Sequence, residues 1–590
     1  MKRINNILSL CLVLISLSAC SSISLSTSPK KLVFSGGDIL TMSASRKNVE
    51  AVDEAVYVRD GIIRAVGSKD EVLRAAGNDV EMIDLEGATL MPGLIEAHTH
   101  PIATAMLGQT IDVSGFTHKS RAEVMATLRK EGKGKPFLKW TVAYGWDPVM
   151  VDDLESPTLA ELDEISPEKP FVILTQMMHD AYANSKALSA AGIHPNTPNP
   201  KAGEFVRDAD GKLTGAVREV SAINHLMSAI PLPPKGAVDL LTNLQYGKYA
   251  KAGFTTIGVL GPVGRVDNPI DMLQTLSEHE SVQVRTVVYG LPKQFEKSDW
   301  KPGDGNNKFK VQGVKFWMDG SPFAGGAALE KPYENSKLVR ERLHLEHNHV
   351  GALNYESGEF EKSFEKYHRL GFQIAVHVQG ERAVERVLSV AEKVLGQYPR
   401  KDHRHRLEHN ALISKPQLQR AKELGLTTSF FVDHIYYYGD QLDQLVGKDR
   451  TLRYMPLKTA IDAGHTITIH TDNPASPIDP LRAMRTALLR QSRKTGMVLG
   501  EEQKLSSEQA LKAITINAAW QLGVDDKVGS IDVGKHADFV VLSHNPLESK
   551  PESLTAIQVK STWIDGERVH TNTFSWQNIK LTLSILGNLI

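Results

Sequence analysis

The sequence predicts an α/β protein: a (β/α)8 TIM-like barrel, a composite β-sandwich domain built from both termini, and a capping subdomain inserted into the barrel. Three observations carry that reading. The middle of the chain alternates short β-branched runs with longer helical patterns, as a parallel sheet with crossover helices requires. Several of those runs end in His, Lys or Asp, and the C-terminal rim of barrel strands is where such residues do chemistry. Two hairpin signals, Asp60-Gly61 and Asp565-Gly566, bracket the whole.

The first twenty residues, MKRINNILSLCLVLISLSAC, have a basic start and an apolar stretch shorter than the ~20 residues needed to span a bilayer. They read as a signal peptide. The ending LSAC resembles a bacterial lipobox, which makes Cys20 the expected lipidation site and residues 21–30 a tether. The expected location is the cell envelope, lipid-anchored, at the outer membrane facing the periplasm. Cys11 and Cys20 are the only cysteines, so the mature fold has no thiolate to offer as nucleophile or ligand, and no intramolecular disulfide. Any metal must be held by His, Asp, Glu or a modified lysine. Lys+Arg 68 against Asp+Glu 69 leaves a net charge of −1 without a basic stripe, which excludes a nucleic-acid partner.

Residues 31–91 and 527–572 each contain strand–turn–strand patterns and are expected to pair into the sandwich. Residues 92–526 hold the barrel. Strand candidates in the middle are FVILTQ, FTTIGVL, VQVRTVVYG, VQGVKFWMDG, FQIAVHVQG, HRLEHNAL, LTTSFFVDH and HTITIHTDN, with helices such as ERAVERVLSVAEKVLGQY between them. His377 and His409 are 32 positions apart, about one βα unit, and His409 and Asp472 are 63 apart, about two. His100 and Lys315 are 215 apart, far more than three units need, so residues of about 110–225 are assigned to the cap. The apolar tail 573–590 has no assigned role.

The stretch LMPGLIEAHTHP places His98 and His100 two residues apart at the end of an apolar run. On a helix they would diverge. On a strand they share a face, with Thr99 turned away, and form a pincer for a metal.

MPGLIEAHTHP, VKFWMDGS, IAVHVQGERAV, RLEHNALI, HTDNP and GSIDVGKHADFVVL occur in the order seen in the amidohydrolase superfamily. Over roughly 31–572 the chain resembles its family 3 branch, which includes N-substituted formamide deformylases. The resemblance implies a metal-dependent hydrolase of a non-peptide C–N bond. It implies as ligands His98 and His100 on the first strand, Lys315 on the fourth, where relatives often carry a carboxylated lysine, His377 on the fifth, His409 on the sixth and Asp472 on the eighth. Imidazole and carboxylate suit zinc, as one ion or two. Such an ion lowers the pKa of water from about 15.7 towards ~7, and Asp472 is suited to move the proton from water to the leaving nitrogen. His179 reads either as facing the substrate or as packing, Asp319 as orienting the Lys315 region or the substrate or as an ordinary turn, and Trp146 as a pocket wall or as cap core. Two positions depart from the family pattern: Glu381 follows Gly380 where Asp is usual, and His470 stands where small residues are commoner.

The expected reaction is cleavage of an amide, formamide, carbamate or cyclic amide in a small molecule. Ester, lactone or dipeptide hydrolysis at the same centre is the alternative, and a non-catalytic ligand-binding lipoprotein the reading from another class.

Overall fold

The structure, a computed structural model, describes residues 30–43 and 54–570, apart from 137, 202, 235, 280, 281 and 357, together with residue 580. The signal peptide with Cys20, the tether up to residue 29 and the rest of the tail lie outside the described residues.

Eight parallel strands form one sheet rolled into a barrel: β1 (Leu94–Thr99), β2 (Phe254–Leu260), β3 (Arg285–Gly290), β4 (Phe309–Trp317), β5 (Gln373–Val378), β6 (Arg406–His409), β7 (Thr427–Phe430) and β8 (Ile467–Ile469). β8 meets β1 through the residues that follow it. The Thr471 backbone N–H (3.2 Å) and hydroxyl (2.7 Å) donate to the Glu96 carboxylate, and the His100 N–H donates to the Asn473 carbonyl at 3.0 Å. FTTIGVL and RTVVYG are buried throughout, because barrel side chains lie on one face and helices on the other, so these strands read as continuous apolar runs. Helix Glu381–Gln397 buries Val384, Val387, Leu388, Ala391 and Val394 along one stripe. Helix Lys415–Glu423 is started by a capping box between Ser414 and Gln417.

The strand candidate FVILTQ lies in the stretch assigned to the cap, and it forms the strand Phe171–Thr175 within the sheet inserted between β1 and β2. Its order is Glu204–Arg207, Leu213–Arg218, Asp180–Ala183, Phe171–Thr175, Thr141–Trp146, Ile111–Asp112. A strand covered on both faces is apolar in either sheet, so composition could not tell the two apart. The insert is tied to the barrel rim. Tyr438 donates to Asp147 at 2.8 Å, Arg342 donates to the carbonyls of Pro148 and Asp152 at 2.7 Å each, and Arg493 donates to that of Gly115 at 2.6 Å.

The two ends of the chain meet in two facing sheets. One joins Ile62–Gly67, Ala55–Arg59, Lys31–Ser35 and Glu81–Asp84; the other joins Asp38–Ile39, Thr89–Pro92, Phe539–Leu542, Val559–Ile564 and Glu567–Arg568. Phe34 fills the space between them, edge-on to Phe539 at 5.3 Å and Trp563 at 5.0 Å. Both Asp-Gly turns have positive φ at both residues, as two-residue type I′ hairpins demand. They also abut: a Cβ on Gly61 would lie 2.9 Å from the Asp565 carbonyl oxygen. Asp565 does more than turn the chain, since with Asp538 it receives Arg285 at the start of β3 (2.6 Å each) and bolts the sandwich to the barrel.

Candidate metal centre

All six residue positions singled out as ligands fall at the C-terminal rim of the barrel. β1 delivers His98 from a strand with no exposed residue. Its Nδ1 lies 2.8 Å from Glu408 Oε2, and Glu408 is paired with Arg406 at 2.7 Å, both wholly inaccessible. With the guanidinium keeping Glu408 an acceptor, Nδ1 carries the hydrogen and Nε2 is a lone pair. His100 Nδ1 lies 3.1 Å from the Gly261 carbonyl, which can only accept, so its Nε2 is a lone pair as well. Thr99, between them, turns outward to Tyr249 at 2.7 Å.

Both lone pairs face one atom. Asp472 Oδ1 is 3.1 Å from His100 Nε2 and 3.5 Å from His98 Nε2, yet it accepts no hydrogen bond. Three electron-rich atoms converge with no hydrogen among them, an arrangement that repels unless a cation sits between. The donor set of imidazoles and a carboxylate therefore fits a divalent metal.

The neighbouring strands complete the rim. The His98 and His409 ring centroids are 4.8 Å apart, and those of His377 and His409 4.4 Å apart. His409 (φ 73°) and Asp472 (φ 52°) leave their strands in the left-handed region, which swings each side chain into the barrel mouth. Such backbone is uncommon outside glycine and clusters at functional sites. His377 Nε2 and Lys315 Nζ are buried without hydrogen-bond partners. Lys315 is fully buried, and burial pushes its amine down to about 8. The same burial holds His98, His377 and His409 well below the ordinary imidazole range, in the neutral form a metal needs.

A cleft of about 1060 Å³ opens over these groups, lined in part by His100, His377, His409 and Asp472. Of the remaining candidates, His179 sits on its rim, 3.3 Å from Glu219. Asp319 lines it too, but its carboxylate accepts the backbone N–H groups of Gln379, Gly380 and Ala328 at 2.8–3.0 Å and does not hold Lys315. Burial pushes that carboxyl up to about 7. Trp146 is buried against Tyr182 in the insert and lines a side chamber of about 360 Å³ that shares Gln176 and His179 with the cleft. Glu381 points away from the cleft and binds Arg453 at 2.5 Å. Sequence reasoning missed Glu408, although Arg406 and Glu408 alternate in RLEH as same-face neighbours. It noted His470 only as a departure, whereas His470 Nε2 lies 3.2 Å from His409 Nδ1.

Comparison with known proteins agrees with this geometry. Residues 81–570 match the amidohydrolase family model. The chain belongs to the amidohydrolase family. This amidohydrolase is thus a hydrolase acting on carbon–nitrogen bonds. It is 28% identical over 549 residues to an N-substituted formamide deformylase of Arthrobacter pascens, covering 90% of this chain and 97% of that protein. It is 27% identical to the protein YtcJ of Bacillus subtilis (strain 168), covering 92% and 99% respectively. In fold it resembles an uncharacterized metal-dependent hydrolase from Pyrococcus horikoshii OT3, with a TM-score of 0.70 at 23% identity, covering 89% of this chain and 99% of that one.

Proposed function

We propose that this amidohydrolase cleaves the C–N bond of an N-substituted formamide or a related small amide, carbamate or cyclic amide at a zinc centre held by His98, His100 and Asp472, with His377, His409 and a carboxylated Lys315 completing it. The observation that carries the reading is the convergence of two imidazole lone pairs on the unpartnered Asp472 Oδ1. When bound, the ion supplies Lewis acidity for the scissile carbonyl and for water. Asp472, accepting no hydrogen bond at Oδ1, takes the proton of the attacking water and returns it to the leaving nitrogen. Lys315 Nζ is buried and unpartnered, and burial brings its amine down to about 8, which raises the share of the neutral form that can react. Its nitrogen adds to carbon dioxide, forming one N–C bond and releasing one proton, and the product carbamate presents an anionic oxygen where a cationic ammonium would repel the ion. Met177, Val220, Trp317, Leu345 and Phe431 give the cleft apolar walls suited to an N-substituent.

The test combines metal analysis of the purified protein with a substrate panel of N-substituted formamides, larger amides, cyclic amides and matched esters. Bound zinc and turnover of the formamides support the reading. Protein free of divalent metal, or His98→Ala with undiminished turnover, overturns it. Labelling with ¹³C-bicarbonate reports the carbamate directly. The proposal extends to the envelope: Cys20→Ala is expected to release the protein from membranes into the soluble fraction.

A further inference from the structure

His470 is not among the residues singled out as ligands and departs from the family pattern, yet it is buried at the metal rim, within metal-binding reach of His98 and His409, with both ring nitrogens in contact with a partner. What it does follows from hydrogen positions, which can be deduced from the floor of the barrel upward. The carbonyl of Thr428 can only accept, so the Gln521 atom 3.1 Å from it is the amide nitrogen. That nitrogen also donates to Thr427 Oγ1 at 3.0 Å, whose own hydrogen goes to the Thr466 carbonyl at 2.8 Å. Gln521 Oε1 therefore accepts, and it takes the single hydrogen of the Thr468 hydroxyl at 2.7 Å. The 2.7 Å contact between the Thr468 and Ser429 hydroxyls is then donated by Ser429. With its hydrogen spent, Ser429 Oγ can only accept from His470 Nδ1 at 2.7 Å. His470 is thereby the Nδ1–H tautomer, and its Nε2 lone pair faces His409 Nδ1 at 3.2 Å. Its ring is clamped between His98 (4.8 Å, 28°) and Phe431 (5.6 Å, 26°), so it cannot turn away.

From this the geometry points to His470 as a positioning residue: at the end of a relay running from Gln521 through Thr468 and Ser429, it accepts the Nδ1–H of His409 and so fixes the His409 tautomer, with Nε2 as its lone pair. A ligating histidine commonly donates its other ring N–H to a fixed partner, and losing such a partner typically costs about 10–100-fold in metal affinity. In most such sites the partner is a carboxylate, carbonyl or water. Here it is a second imidazole whose own tautomer is set by side chains 39 to 94 positions apart in the chain. Without it, His409 divides between two tautomers, and only one of them leaves Nε2 as the lone pair. This inference rests on the metal centre proposed above.

The experiment measures zinc affinity by chelator competition and the visible spectrum of the cobalt-substituted protein at saturation, with unfolding of the metal-free protein as the check on folding. His470→Leu removes the acceptor and is expected to weaken zinc binding about 10–100-fold, with the cobalt bands unchanged because the ligand count is unchanged. His470→Gln keeps an acceptor oxygen and is expected to restore most of the affinity. Unchanged affinity in folded His470→Leu overturns the relay, as does failure of His470→Gln to rescue it. A cobalt spectrum altered in intensity also overturns it, making His470 itself a ligand. If His470→Leu does not fold, Ser429→Ala and Thr468→Val carry the test: each releases the His470 tautomer and is expected to weaken zinc binding by a smaller factor, and unaltered binding in both overturns the relay. An unsubstituted protein that takes up no divalent ion overturns the metal centre itself, an outcome distinct from one in which it and the variants bind equally.

Discussion

Two histidine clusters occupy opposite ends of the same barrel, and they differ in one respect. At the C-terminal rim, His98 and His100 each commit one nitrogen to a fixed acceptor and leave the other as a lone pair facing Asp472. At the N-terminal end of β6, His403, His405 and His368 pack with ring centroids 4.3 and 5.1 Å apart, yet every nitrogen is spoken for. His403 Nε2 donates to the Leu424 carbonyl and its Nδ1 accepts the His405 N–H. His405 Nδ1 accepts the Ile374 N–H, which leaves its Nε2–H to donate to His368 Nδ1, and His368 Nε2 donates to the Tyr398 carbonyl. The His-x-His spacing is identical in HTH and HRH. Histidine density therefore does not mark a metal site; lone pairs left without hydrogens do.

That contrast is most exposed at the rim. Asp472→Asn is expected to lower turnover about 10²–10⁴-fold without unfolding the protein, and His98→Ala to empty the centre of metal as well; steady-state kinetics with metal analysis check both. At the other end, His405→Ala leaves donors and acceptors unpaired and is expected to cost about 1–3 kcal/mol of stability while metal content stays as in the unsubstituted protein. Metal loss in that variant would erase the distinction between the clusters.

A pH effect of similar size separates them further. Burial pushes His403 down to about 4, and His368 and His405 also lie below the ordinary value of 6.5. Between about 4 and 6.5 the unfolded chain binds a proton at His403 that the folded protein does not, so stability rises with pH across that window. The contribution is complete above 6.5 and is lost as the pH falls towards 4, about 2–3 kcal/mol for His403. Urea unfolding at pH 5 and pH 7 should show it, and His403→Gln should flatten the difference. The smallest expected effect is at the cleft rim, where half-exposed His179 meets Glu219. His179→Ala is expected to raise KM a few-fold with kcat and metal content unchanged, since a rim pair of this kind contributes about 0–1 kcal/mol.

Much of this was legible in one dimension because local rules carry it. The strands of the barrel announce themselves as buried β-branched runs, the two Asp-Gly turns as type I′ hairpins, and His98 and His100 as same-face neighbours on a strand. Asp472 and His409 were visible as polar residues closing apolar runs. Where a residue's role depends on what lies across the barrel, the chain alone was silent. Glu408 reads as an ordinary acidic residue until it meets His98, 310 positions away. Asp565 reads as a turn until Arg285 arrives, and FVILTQ fits either of two sheets.

The sequence by itself determined the order of elements, the residue types able to hold a metal, and the family to which they correspond, because periodicity and residue chemistry act over a few neighbouring positions. Only the tertiary structure decided which histidines keep a free lone pair. Each imidazole has one hydrogen to place, and its position is set by acceptors that folding brings from distant strands.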